Sequence, residues 1–244
     1  MEKLLAGLFL LPAALSAQVL LTDDFNAGAI DSSRWNIQNP YADSSVIEGS
    51  GYLQVQNRGQ LISAAGFSTP YVISGDFQLS NNEFSNAKIV IRSDGESPGM
   101  AELNGIAIQF QVRGDSAYAR QLSIFTIGAP VESSASVSLD VPLSLDTWYA
   151  FEIYDWGDSV ELYWDGASSA TLTLDSSYSA GDLLGFYNRE GAAGGSGISA
   201  NGIARLDSIT VSQVPEPDTY AVILSLFSIS FVILGYYTKS HSRR

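Results

Sequence analysis

The chain has 244 residues, no cysteine, a single histidine (His241) and a formal net charge of −14, with residues 18–214 alone holding 23 acidic and 8 basic side chains. The missing cysteines exclude disulfides, thiolate metal sites and cysteine nucleophiles, and a histidine confined to the tail removes serine–histidine triads and histidine–zinc sites from the body. A surface this acidic repels phosphate backbones, so nucleic acid is not an expected partner.

Residues 1–17 read as a secretory signal peptide. Lys3 supplies the basic start, Leu4–Leu15 the apolar centre, and Ala14-Leu-Ser-Ala17 a small-residue cleavage site. The mature chain is then expected to begin near Gln18 and to face the periplasm or beyond.

Residues 18–212 read as one all-β domain, large enough to bury its own core. Short alternating segments are separated by clusters of Gly, Asn, Asp and Ser: 88–92, 106–112, 121–127, 149–154, 160–164, 170–174 and 203–211. Ile106, Ile108, Phe110 and Val112 are expected on one face, with Ala107, Gln109, Gln111 and Arg113 on the other. This pattern predicts a two-sheet antiparallel sandwich. The glycine-rich 191–202 lacks the lysine and following helix of a phosphate cradle and reads as a loop.

The best-defined hairpin spans 148–165, turning at Asp155-Trp-Gly-Asp158. Closing the turn on Asp155 and Asp158 sets Glu152 opposite Glu161, Tyr154 opposite Ser159 and Ala150 opposite Tyr163. Tyr149, Phe151, Ile153, Val160, Leu162 and Trp164 then face the core. Trp148, Glu152, Tyr154, Glu161 and Tyr163 face outward, the residue types that a glycan site uses. Trp35 and Trp164 read as core, and Trp156 as either.

Thr147-Trp-Tyr149 followed by Val160-Glu-Leu-Tyr-Trp-Asp-Gly166 resembles the concanavalin A-like, laminin-G-type jelly rolls. The opening Asp23-Asp-Phe-Asn26 … Arg34-Trp35 is similar to their first strand, and Arg205-Leu-Asp-Ser-Ile-Thr-Val211 to their last. The resemblance implies a jelly-roll sandwich, and it implies a structural calcium ion joining first and last strands through Asp24 and Asp207. Asp24 reads equally as a turn residue and Asp207 as a solvated strand residue. No other cofactor is expected.

Glycoside hydrolases share this fold, and one retaining family sets its acids on alternate positions of a strand, Glu-x-Asp-x-Glu. Here Glu161-Leu-Tyr163-Trp-Asp165 has tyrosine in the middle place, so a non-enzymatic protein is expected. The alternative is a secreted hydrolase or lyase using Glu152 and Glu161, since retaining chemistry needs two carboxyl groups about 5 Å apart.

The last segment, 213–244, has three parts: Val214-Pro215-Glu216-Pro217, an uncharged apolar run over 219–238, and a basic tail with Lys239, Arg243 and Arg244. Twenty helical residues cover roughly 30 Å, the hydrocarbon thickness of a bilayer, and the basic tail would stay on the cytoplasmic side. The arrangement resembles the PEP-CTERM sorting signal of bacterial envelope proteins. That resemblance implies an exosortase, a membrane protease that removes the anchor, as partner. It also implies inner-membrane anchoring by the C-terminal transmembrane helix, then release to the cell surface or a matrix of extracellular polysaccharide.

Overall fold

A computed structural model of the chain describes residues 17–40, 44–80, 84–97, 102–113, 120–141, 143–164, 170–188 and 203–214. The signal peptide through residue 16, the glycine-rich segment 191–202 and the sorting segment from Pro215 onward lie outside the described residues. The chain divides into two units, residues 19–212 and a unit formed from the termini.

The unit of residues 19–212 is all β, two antiparallel sheets with a 3-10 turn at Val131–Ser133. The first sheet runs in the order β13 (Ala170–Asp175), β12 (Ser159–Trp164), β11 (Trp148–Asp155), β6 (Tyr71–Ser80), β15 (Ile203–Gln213), β4 (Tyr52–Gln56), β3 (Ser45–Gly49). Strand β1 (Val19–Asp23) pairs with the second half of β15. The second sheet runs β10 (Ser136–Asp140), β9 (Arg120–Ile127), β8 (Gly105–Arg113), β7 (Phe84–Ser93), β14 (Leu183–Asn188), β5 (Gln60–Ser63), β2 (Trp35–Gln38). Each segment expected to be a strand is one. Among the described residues, eight further strands, β1 to β6, β10 and β14, complete the two sheets.

Alternation explains most of the core. In β11 every second residue from Tyr149 is buried, and in β12 the buried set is Val160, Leu162 and Trp164. Phe77 of β6 stacks on Phe110 of β8 with centroids 3.8 Å apart, and Phe151 of β11 packs against both rings. Trp35 and Trp164 are core residues, as expected. Gly75 of β6 is required by close approach. A Cβ there would lie 2.4 Å from the carbonyl oxygen of Ser208, a residue of β15 at positive φ.

The second sheet departs from simple alternation. Its outward positions Ile62, Val90, Ala107 and Tyr187 are buried as well, packed with Leu103 into a separate apolar cluster. Lys88 is 1% exposed; its Nζ lies 2.8 Å from Glu102 Oε1 and within 5.6 Å of the Phe125 and Tyr187 ring centres. Gln60 donates to Ser97 Oγ at 3.2 Å. Glu102, Leu103 and Ser97 all come from the connection between β7 and β8, which therefore covers this face. The outward side of β8 is thus covered over part of its length: Ala107 is fully buried and Gln109 nearly so.

Candidate functional site

The β11–β12 hairpin is held at its turn end by a buried ion pair. Asp155 is completely buried and accepts from Arg92 Nε at 2.9 Å and from its Nη2. Arg92 Nη1 donates to the carbonyls of Ser176 and Tyr178, at 3.1 Å each. Asp155 Oδ1 also accepts the N–H of Gly157, and Trp156 N–H bonds to the Ser159 carbonyl. Tyr71 lies beside the same carboxylate, and burial followed by the Asp155 charge raises its phenol well above the ordinary value of 10.0. One arginine–aspartate pair thereby ties the hairpin to the opposite sheet.

That pair corrects the expected register. With Asp155 turned inward to Arg92, and the Asp158 carbonyl accepting from Ser176 N–H, the turn does not close on Asp155 and Asp158. Asp155 pairs with Val160, so Tyr154 faces Glu161, Glu152 faces Tyr163, and Phe151 faces Trp164. The slip from expectation is two residues, which preserves the side of the sheet every side chain occupies. It nevertheless removes the Glu152–Glu161 pair: no carboxylate stands directly across from the other. Neither Tyr154–Ser159 nor Ala150–Tyr163 is a pair.

What the register builds is an alternation of acids and phenols. The Tyr154 hydroxyl donates to Glu152 Oε2 at 3.0 Å, and the Tyr163 hydroxyl donates to Glu161 Oε2 at 2.9 Å. Burial and then the Glu152 hydrogen bond raise the Tyr154 phenol, whereas the Glu161 hydrogen bond is the main cause for Tyr163. The Tyr154 and Tyr163 rings meet edge-on at 5.4 Å, and Trp156 at the tip stacks on Tyr154 at 5.7 Å. Trp148, Trp156 and Tyr163 are 38%, 37% and 41% exposed, and they are the exposed large aromatics among the described residues. At the other end of β11, Trp148 meets Tyr52 of β4 with ring centres 6.1 Å apart.

No protein-family model matches the chain, and no curated protein matches it by sequence. Solved structures do. An endo-β-1,3-glucanase from Pyrococcus furiosus superposes with a TM-score of 0.57 at 13% identity, covering 81% of this chain and 94% of the glucanase. The catalytic domain of a laminarinase from Thermotoga petrophila RKU-1 gives 0.56 at 16%, covering 82% and 99%. A legume lectin-like domain from Entamoeba histolytica gives 0.55 at 11%, covering 75% and 91%. The fold is that of the concanavalin A-like jelly rolls.

Within this jelly roll, the expected glycan residues Trp148, Glu152, Tyr154, Glu161 and Tyr163 do share one outer face. Gln109 and Gln111 do not join them. Strand β8 belongs to the other sheet, and there Gln109 donates to Gln111 Oε1 and Ser123 Oγ. Asp165 and the side chain of Arg113 lie outside the described residues. Asp24 accepts the N–H of Asn26 in a turn, one residue beyond the Asp23–Ile209 pair, at the end of the β1–β15 ladder that also carries Asp207. Among the described residues no group of three or more carboxylate or histidine side chains could hold a metal. Calcium takes six to eight oxygens, so a site on Asp24 and Asp207 would draw its remaining ligands from backbone carbonyls. The sequence reading missed Tyr52 and Arg205 as outward residues of this face. The alternation Tyr52-Leu-Gln-Val-Gln56 was the available signal. Among the described residues no helix is long and apolar enough to cross a membrane; the 219–238 run lies outside them.

Proposed function

We propose that this chain is an exported envelope or matrix protein whose jelly roll binds glycan, without cleaving it, on the outer face of β11 and β12. The observation that carries the reading is the concentration of exposed aromatic surface on one hairpin, interleaved with carboxylates. Rings left in water at a rigid sheet surface suit the apolar faces of sugars, and fixed carboxylates accept sugar hydroxyls. Tyr163, Trp156 and Tyr154 would supply the platform, Glu152 and Glu161 the acceptors. A binding role fits better than hydrolysis because each carboxylate already holds a tyrosine hydroxyl and the two do not face one another.

The neighbours named for β-1,3-glucan chemistry make β-1,3-glucan the first ligand to try. A glycan array that includes it should retain the protein, and Tyr163→Ala and Trp156→Ala should each weaken retention about tenfold. An array on which wild type and both variants behave alike would sink the reading. Release of reducing sugar by wild type, lost in Glu161→Gln, would replace it with a hydrolase.

The sorting role rests on Val214–Pro217, the 219–238 run and the basic tail with Lys239, Arg243 and Arg244. Through them an exosortase would hold and then release the protein. Deleting that protease from a host that carries it should leave a larger, membrane-bound product; an unchanged size and location would remove this part.

A further inference from the structure

The outer face of the first sheet carries a second aromatic pair, and the strands beneath it show that it is built rather than incidental. Trp148 stands on β11 and Tyr52 on β4, with β6 and β15 between them. Three strand spacings amount to roughly 14 Å of backbone. Their ring centres are nevertheless 6.1 Å apart, so both rings lean inward over the intervening strands.

Arg205 of β15 occupies the space they lean over. Its guanidinium carbon is 5.0 Å from the Tyr52 ring centre. Nε donates to Gln54 Oε1 at 3.2 Å; Nη1 donates to Gln78 Oε1 at 2.6 Å and to Ser80 Oγ at 3.2 Å. Gln78 and Ser80 are buried, so two of the three acceptors are fixed by packing. All three are neutral. Arg34, Lys88 and Arg92 each reach a carboxylate, whereas Arg205 connects to Asp146 only through the Ser80 hydroxyl. Nη2 of Arg205 has no hydrogen-bond partner among the described residues. It is a donor left over beside the Tyr52 ring.

We infer that Tyr52, Trp148 and Arg205 form a second sugar subsite, so that the ligand is the interior of a linear polysaccharide running along β11. This rests on the glycan-binding reading and deepens it. Trp148 and Tyr154 lie six residues apart on one side of β11, roughly 20 Å. Between them the surface is low: Ala150 on β11, with Ser74 and Asp76 on β6 directly opposite Glu152 and Ala150. A single sugar cannot touch both platforms; a chain of several can. The two ends also differ in kind. The Arg205 end presents a donor and the Glu152–Glu161 end presents acceptors, which would give the bound chain a direction.

The test is calorimetry with size-graded β-1,3-gluco-oligosaccharides and galacturono-oligosaccharides, from the dimer to the octamer. Wild type should gain about tenfold or more in affinity between short and long members of the series it binds. Trp148→Ala, at an exposed position that folding tolerates, should abolish that gain while leaving the affinity for the shortest bound member unchanged. Arg205→Met, which keeps the stem under Tyr52, should reduce the gain in part. Equal affinity for short and long members in wild type would overturn the second subsite and leave glycan binding standing. So would an equal loss at every length in Trp148→Ala. Failure of wild type to bind either series or any arrayed glycan would overturn glycan binding itself, and this inference with it.

Discussion

The two outward faces of the sandwich are made by similar strands and have opposite fates. On the first sheet, the outward residues of β11 and β12 stay in water, and their aromatics pair with carboxylates or with each other. On the second, Lys88 and Val90 of β7, Ala107 of β8 and Tyr187 of β14 are buried beside Leu103, with Lys88 paired to Glu102. The open face therefore offers a surface to a ligand, while the covered face acts as a second core. Mutations should separate them: losses of stability on the covered side and at the tie between sheets, losses of binding on the open side.

The largest effect is expected at the tie. Asp155→Ala leaves the Arg92 guanidinium buried without its carboxylate, which should cost about 3–5 kcal/mol in urea unfolding. A cost below 1 kcal/mol would mean that the hairpin is anchored by backbone pairing alone. Next is the covered face. Glu102→Ala strips the carboxylate from a lysine that is 1% exposed, and about 2–3 kcal/mol should be lost. Lys88→Met, which removes the need for that charge, should cost clearly less than Glu102→Ala. The reverse order would show that the connection between β7 and β8 covers the sheet only loosely.

Much of this contrast could not be read from residues alone. The amphipathic strands 106–112, 149–154 and 160–164 were legible because one side is always apolar. Val90 and Ala107 carry no sign of whether a connection will fold over them, so alternation alone leaves the fate of the second sheet's outward side open. The hairpin was misread for a similar reason. Turn residues at 155–158 admit more than one closure, and the choice is made by Arg92, more than sixty residues earlier. Because the error was two residues, every face assignment survived while the one pairing with catalytic meaning did not. Alternation fixes sides, and only long-range partners fix neighbours.

On the open face, Tyr163→Ala should change stability by less than about 1 kcal/mol, since the ring is already 41% exposed. Its expected signature is the loss of glycan retention. A large drop in unfolding free energy with intact retention would make the aromatics part of the fold, not of a site.

The smallest effect expected is in alkaline titration, and it distinguishes the same regions. Burial first and a nearby carboxylate second for Tyr71 and Tyr154, and the Glu161 hydrogen bond first for Tyr163, resist formation of the phenolate, so all three ionise above the ordinary 10.0 when folded. In the unfolded chain they lose that proton at the ordinary value. The folded state then binds more protons, so the contribution of these groups is complete below pH 10 and declines as pH rises through the folded values. Tyr71, inside the tie, should carry nearly all of the stability effect. Exposed Tyr163 should shift its phenolate absorbance without a measurable change in unfolding free energy. Glu161→Gln removes the main cause of the Tyr163 shift, so that phenol should return toward 10 while Tyr71 is unmoved. If Glu161→Gln left every tyrosine titrating as in wild type, the Tyr163–Glu161 bond, and the fixed acceptor it gives the open face, would not persist in solution.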